Sequence, residues 1–269
     1  MFEKNCVNLL GRKSFNGPIK NTLIRMHKKL VIIPTYLEKE NVAAMIRKVF
    51  SLPEAFDLLI IDDGSPDGTA DIVRGMQAEY HDKLFMIERS GKLGLGTAYI
   101  TGFRWALERG YDYVFEMDCD FSHDPDALPL LYRTAAEGSD VVVGSRYVQG
   151  VNVVRWPMRR LLISYCASRY VRCVTGMPVR DATAGFVCYS REVLRRIDLD
   201  NIRMKGYGFQ IEMKYTAWRL GFRISEIPIV FVDRTEGVSK MSSSIFGEAF
   251  WGVMALKFRK IRPAADPSK

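Results

Sequence analysis

YVFEMDCDFSHDPDALP, residues Tyr113–Pro129, decides how the chain is read: an apolar run stops in acids, and an apolar helical pattern follows. In a strand, residues i and i+2 share a face, so Asp118 and Asp120 can converge on one object while Cys119 turns away. Two close carboxylates repel unless a cation or a proton joins them, and a divalent metal is the usual solution. Asp124 and Asp126 precede the helix and read as its caps. The unit is a buried strand, an acidic end and a helix.

The same unit recurs outward from this stretch. "KLVIIPTY" leads into the helical spacing of "KENVAAMIRKVF", and "FDLLIIDDGS" into "DGTADIVRGMQAEY", capped at Asp67 or Thr69. "KLFMIE" leads into "GLGTAYITGFRWALERG", and "SDVVVGSRY" follows the Asp124 helix. Strands separated by helices of this length predict an open α/β fold with a mostly parallel sheet. Ligands in such folds bind at the C-terminal ends of the strands. Pro34, Asp62–Asp63, Asp118–Asp120 and Arg146 all fall on that predicted edge. The Gly64–Gly68 turn after Asp62 and Asp63 opens a helix N-terminus; alone it fits a tight capped turn or an anion site equally well.

The 269 residues, 48% hydrophobic and 26% charged, suit one sizeable globular domain. No apolar run approaches the roughly 18 residues of a membrane span. Residues 1–27 carry no signal-peptide pattern and read as a flexible extension, with Met26 as an alternative start. Cys6, Cys119, Cys166, Cys173 and Cys188 show no metal spacing and are expected to be reduced and mostly buried. His27 and His81 read as surface residues; His123 reads as either a neighbour of the acidic pair or a surface cap. A net charge of +8 and a pI near 9.2 point to a polyanionic partner: nucleic acid, an anionic membrane or a phosphate-bearing substrate. No recognition-helix or RNP-like pattern supports nucleic acid, and "SGKLGLGTAY" lacks the Walker signature.

Past Gly150 the pattern changes. "VVRWPMRRLLISYCASRYVRCVTG" carries Arg155, Arg159, Arg160, Arg169 and Arg172 with no acid. A last helix over Ser244–Lys260 is apolar and ends basic. Both suit a surface lying on anionic lipid head groups, or packing on their own domain with solvated arginines.

Six stretches together, "VIIPTYLEKEN", "LLIIDDGSPDGT", "KLGLGTAYITGF", "MDCDFSHDP", "GSRY" and "PIVFVDRTEGVSK", resemble the dolichyl- or polyprenyl-phosphate mannosyltransferases of glycosyltransferase family 2. The resemblance spans about residues 28 to 257, in the family's order. It implies a GT-A (Rossmann-like) domain over 28–241 and a C-terminal amphipathic helix and tail over 242–269. The implied reaction is metal-dependent, inverting transfer of mannose from GDP-mannose to a polyprenyl phosphate. The alternative keeps the fold and moves glucose or another sugar from a UDP- or GDP-sugar to the same lipid class. By resemblance, Pro34, Tyr36 and Glu38 line the guanine and ribose pocket, with Ile61 and Asp63 contacting the nucleoside. Asp118 and Asp120 hold Mg2+ or Mn2+ and the pyrophosphate, and Cys119 lies along the donor through its backbone. Arg146, Arg234 and Lys240 contact donor or acceptor phosphates. Ser122 stands where some members place a Gln ligand, and Leu37 replaces the Asn of a common Tyr-Asn-Glu. The resemblance also implies a peripheral enzyme on the cytoplasmic face of a membrane, alone or with a small membrane subunit.

Overall fold

Lys29–Thr35 forms β1, a β-branched run whose alternate residues enter two separate cores: Val31 and Ile33 on one face, Leu30 and Ile32 on the other. The computed structural model describes residues 26–204, 206–233 and 244–264. After β1 come α1 (Val42–Phe50), β2 (Asp57–Asp62), α2 (Thr69–Gln77), β3 (Leu84–Glu88), α3 (Leu95–Glu108) and β4 (Tyr113–Glu116). Then follow α4 (Leu128–Ala136), β5 (Val141–Ser145), β6 (Val153–Val154), α5 (Met158–Thr175), β7 (Val187–Ser190) and α6 (Arg191–Arg196). The chain continues through α7 (Tyr207–Arg219), β8 (Ile224–Pro228), β9 (Phe231–Val232) and α8 (Ser244–Phe258).

Among the described residues a seven-stranded sheet runs β3-β2-β1-β4-β7-β5-β8, and β6 pairs with β9 beside it. Every neighbouring pair in the larger sheet is parallel except those made by β7, which lies antiparallel between β4 and β5. The expected GT-A architecture, an open and mostly parallel sheet flanked by helices, is therefore present. Helices α1, α2 and α4 cover one face, and α3, α6 and α7 the other. The approach of α3 is close: a Cβ on Gly102 would lie 2.7 Å from Ile32 Cδ1 and 2.9 Å from its Cγ2. A third core joins α5, α7 and α8 through Val171, Ile211, Tyr215, Val253 and Leu256. Helix α8 thus packs on the same body as the sheet.

The winding places the site. From β1 the chain adds β2 on one side and β4 on the other, so the crossovers diverge and leave a crevice between their C-terminal ends. Thr35 and Met117 open that crevice; Asp62 and Ser145 end β2 and β5 on the same edge.

Candidate active site

One wall of the crevice is the loop after β1. Its backbone is held by the turn after β2: Leu37 N–H donates to Ser65 Oγ (3.0 Å), Glu38 N–H to Thr69 Oγ1 (3.1 Å) and Lys39 N–H to Asp67 Oδ2 (3.3 Å). Asp67 also accepts from the Thr69 N–H and hydroxyl, which braces the turn into α2, but the N-cap itself is Gly68, at φ +91°, and not Asp67 or Thr69. The buried Asp62 carboxylate accepts from Ser65 N–H at 2.9 Å. Asp63, also buried, receives Arg89 through Nε at 2.6 Å, and Arg89 reaches on to Thr97 Oγ1 and the Gly94 carbonyl. The Lys92 ammonium lies 5.2 Å from the Tyr36 ring centre. Gly64 needs its freedom here: φ is +67°, and a Cβ would sit 3.3 Å from the Arg89 carbonyl oxygen.

The acidic end of β4 forms the centre. Glu116 faces α7 and is fully buried, whereas the Asp118 side chain is 41% exposed, so the strand emerges from the core between them. Asp120 Oδ1 accepts from Ser122 Oγ at 2.6 Å and from Ser122 N–H at 3.1 Å, which orients the carboxylate. Cys119 turns into the opposite core, as the i, i+2 pattern predicts. Leu37 and Phe121, the residues that turn the two crevice loops, both adopt left-handed φ, 59° and 57°, and both are exposed. Such backbone strain in non-glycine residues gathers at ligand sites.

His123 is buried beneath this edge, not on the surface. Its ring stacks on Phe186, and Nδ1 accepts the Asp118 backbone N–H at 3.2 Å. Burial pushes its pKa down to about 4, so the ring is neutral and its Nδ1 lone pair is engaged. It supports the Asp118 turn.

Arg146 departs from the expected phosphate contact. It is only 7% exposed, and its guanidinium forks onto the wholly buried Asp181 through Nε (2.7 Å) and Nη2 (2.6 Å). Its backbone N–H meets the same carboxylate at 2.9 Å, and Nη2 also reaches Thr183 Oγ1. Trp156, Tyr147 and Phe231 surround the cation. This geometry makes Arg146 a residue that holds the segment after β5.

The crevice therefore brings Pro34, Tyr36, Glu38, Ile61, Asp63, Asp118, Cys119 and Asp120 onto one edge. Arg234 and Lys240 lie outside the described residues. Asp124 caps the turn before α4 by accepting Asp126 N–H, but Asp126 itself pairs with Lys48 (2.7 Å) instead of capping. His27 is half-buried against Tyr113 and Tyr132. Cys119 and Cys188 are buried, but Cys166 and Cys173 are exposed because α5 lies on the surface. Sequence reading missed Arg89, Asp181, Glu116, Gln210 and Lys214. The last two stand four apart on α7, where every residue from Gly208 to Ala217 is buried; a helix polar at core positions was the available signal.

Two carboxylates fit a hard divalent cation completed by substrate phosphate oxygens. Among the described residues no group of three or more His, Cys, Asp or Glu could cage a metal without that substrate.

Residues 30–198 match the model of glycosyl transferase family 2. The chain is 47% identical over 231 residues to the undecaprenyl-phosphate mannosyltransferase of Micrococcus luteus, covering 84% of this chain and 94% of that one. It is 43% identical over 247 residues to the polyprenol monophosphomannose synthase of Mycolicibacterium smegmatis, covering 90% and 93%. The fold resembles the glucosyl-3-phosphoglycerate synthase of Mycobacterium tuberculosis, solved with Mn2+, UDP-glucose and phosphoglyceric acid (TM-score 0.61, 19% identity, 86% and 78% covered). It also resembles a mannosyltransferase of Pyrobaculum calidifontis in complex with GDP-mannose and Mn2+ (TM-score 0.53, 17% identity, 85% and 69% covered).

Proposed function

The chain is a glycosyltransferase of family 2, and on that premise we propose that it transfers mannose, with inversion, from GDP-mannose to a polyprenyl (dolichyl-type) phosphate. The products are polyprenyl phosphate mannose and GDP. The observation that carries this reading is the paired Asp118 and Asp120 at the β1/β4 crevice, in a chain so similar to two enzymes named for polyprenyl-phosphate mannosylation.

Asp118 and Asp120 would hold Mg2+ or Mn2+, which neutralises charge on a departing diphosphate. The loop of Pro34, Tyr36 and Glu38, with Ile61 and Asp63, forms the wall for the nucleoside. Arg89 fixes the Asp63 carboxylate, and Lys92 over Tyr36 adds positive charge beside the donor. An acceptor phosphate oxygen attacks the anomeric carbon as the bond to the diphosphate oxygen breaks, and that electron pair leaves on GDP. The acceptor is already anionic near neutral pH, with a second pKa of about 6. No strong base is required, and His123, neutral, buried and engaged at Nδ1, is not placed to act as one. Arg234 and Lys240 are assigned to the phosphates by resemblance.

The reaction takes place on the cytoplasmic face of a membrane, where the enzyme sits peripherally, alone or through a small membrane subunit. No helix among the described residues is long and apolar enough to cross a membrane. Helix α5 buries Ser168, Val171 and Thr175 but exposes Met158, Leu162, Ile163 and Tyr165 beside Arg159, Arg169 and Arg172. Neighbouring α8 exposes Phe250, Trp251 and Phe258. Apolar and basic groups together on one surface suit anionic lipid.

The test is incubation with labelled GDP-mannose, GDP-glucose or UDP-glucose, Mg2+ or Mn2+ and polyprenyl phosphate, followed by lipid extraction. GDP-mannose should label the lipid. Label from UDP-glucose and none from GDP-mannose would move the assignment to the glucosyl alternative.

A further inference from the structure

Lys214 is wholly buried on α7, and the proposed chemistry leaves it without a role. Its ammonium donates to the Ala184 carbonyl at 2.7 Å and reaches Gln210 Oε1 at 3.4 Å. Glu116 on β4 is equally buried, with Gln210 and Lys214 of α7 as its polar neighbours. Burial pushes the Lys214 pKa down to about 8 and the Glu116 pKa up to about 8. Ala184 belongs to the segment 181–186, whose Asp181 and Thr183 hold Arg146. Asp181 N–H in turn donates to Glu226 Oε1 on β8 (3.0 Å), so the segment is anchored at its far end by the sheet and at its near end by Lys214. Glu116 lies two residues before Asp118. Lys214 thus ties the segment that carries the Arg146 clamp to α7, the helix that packs through Phe209 and Met213 against Val114 of β4.

We infer that Lys214 is a positioning residue for sugar transfer, locking segment 181–186, and through it Arg146, to α7, which lies against the strand that leads to Asp118 and Asp120. The inference assumes the transfer reaction proposed above. A buried ammonium suits such a lock because its bond to the Ala184 carbonyl runs through the protein interior, where an unpaired charge is costly, so segment and helix cannot separate without exposing it. Displacements of about 1 Å at a reacting centre cost on the order of 100-fold in rate.

The test compares Lys214→Met, Arg146→Lys and the double variant in the lipid-transfer assay, with thermal unfolding followed alongside. Lys214→Met should stay folded with a lowered melting temperature. Its kcat should fall by about 100-fold, and the KM for nucleotide sugar should move by less than about threefold, since the nucleoside wall is untouched. Because both residues act through one segment, the double variant should be no slower than the slower single variant. A Lys214→Met kcat within about twofold of wild type, a loss wholly in KM, or rate losses that multiply in the double variant would each overturn the assignment. If Lys214→Met does not fold, Glu116→Gln/Lys214→Met, which removes both buried titratable groups, takes its place under the same criteria. Wild type assayed in parallel separates the two ideas: no transfer by wild type refutes the proposed function, whereas an active wild type with an unaffected variant refutes only the role of Lys214.

Discussion

Replacing Asp181 by Asn should destabilise the fold more than almost any other change of one atom. The Asp181 carboxylate is wholly buried and takes three hydrogen bonds from Arg146, at 2.9, 2.7 and 2.6 Å. Bonds to charged groups contribute roughly 1.5–3 kcal/mol each, which sets a ceiling. Asn keeps one acceptor oxygen but turns its NH2 toward guanidinium donors and removes the counter-charge of a cation only 7% exposed. Breaking one partner of a buried pair costs about 3–5 kcal/mol. At roughly 2–4 °C per kcal/mol for a domain of this size, the melting temperature should drop by about 6–20 °C. Thermal unfolding by circular dichroism at neutral pH, with a urea titration for the free energy, measures it. Arg146→Met/Asp181→Leu removes both charges and should recover most of the loss, because an apolar pair needs no compensation. An Asp181→Asn protein that melts within about 2 °C of wild type would show that water or another group compensates Arg146, and the buried-clamp account would be wrong.

Asp120→Asn should leave the Ser122 bonds in place, because the amide oxygen still accepts, yet lower transfer by about 1,000-fold through loss of several kcal/mol of charge stabilisation. Chelation with EDTA should silence wild type to the same degree, and a variant keeping half its activity would refute the metal assignment. Changing Arg159, Arg169 and Arg172 together to Glu should weaken co-flotation with anionic vesicles by at least 100-fold, at about 1 kcal/mol per arginine near the surface. Arg160 is left alone because it pairs with Asp233 at 2.7 Å; unchanged flotation would dismiss the α5 surface. In a Cys6→Ser background, Cys166 and Cys173 should react rapidly with a thiol reagent at pH 8, while Cys119 and Cys188, buried and with thiol pKa values pushed well up by burial, should react only in denaturant. Fast modification of all four would refute the packing around β4 and β7.

The alternation of strands and helices was legible because each unit is written locally: period-two runs such as Lys29–Thr35, then a turn, then helical spacing. The same local logic put Asp118 and Asp120 on an exposed edge and turned Cys119 into the core. It failed where the partner is distant in sequence. Nothing near Arg146 announces Asp181, 35 residues later, because β7 inserts antiparallel between β4 and β5 and brings that segment back to the sheet edge. Asp63 reads as an open strand-end acid until Arg89 arrives from the end of β3. His123 reads as either a neighbour of the acidic pair or a surface cap until Phe186 and Phe231 close over it.

By itself, then, the sequence determined the class of fold and the strand edge that carries the acidic pair, since periodicity and strand-end chemistry are short-range properties. Only the tertiary structure decided which charges face the crevice and which are spent inside. A guanidinium or an ammonium is equally basic in sequence whether it meets a substrate or an acceptor buried in the fold. The difference for Arg146 and Lys214 is desolvation, which only the packing of β7 and α7 against the sheet imposes.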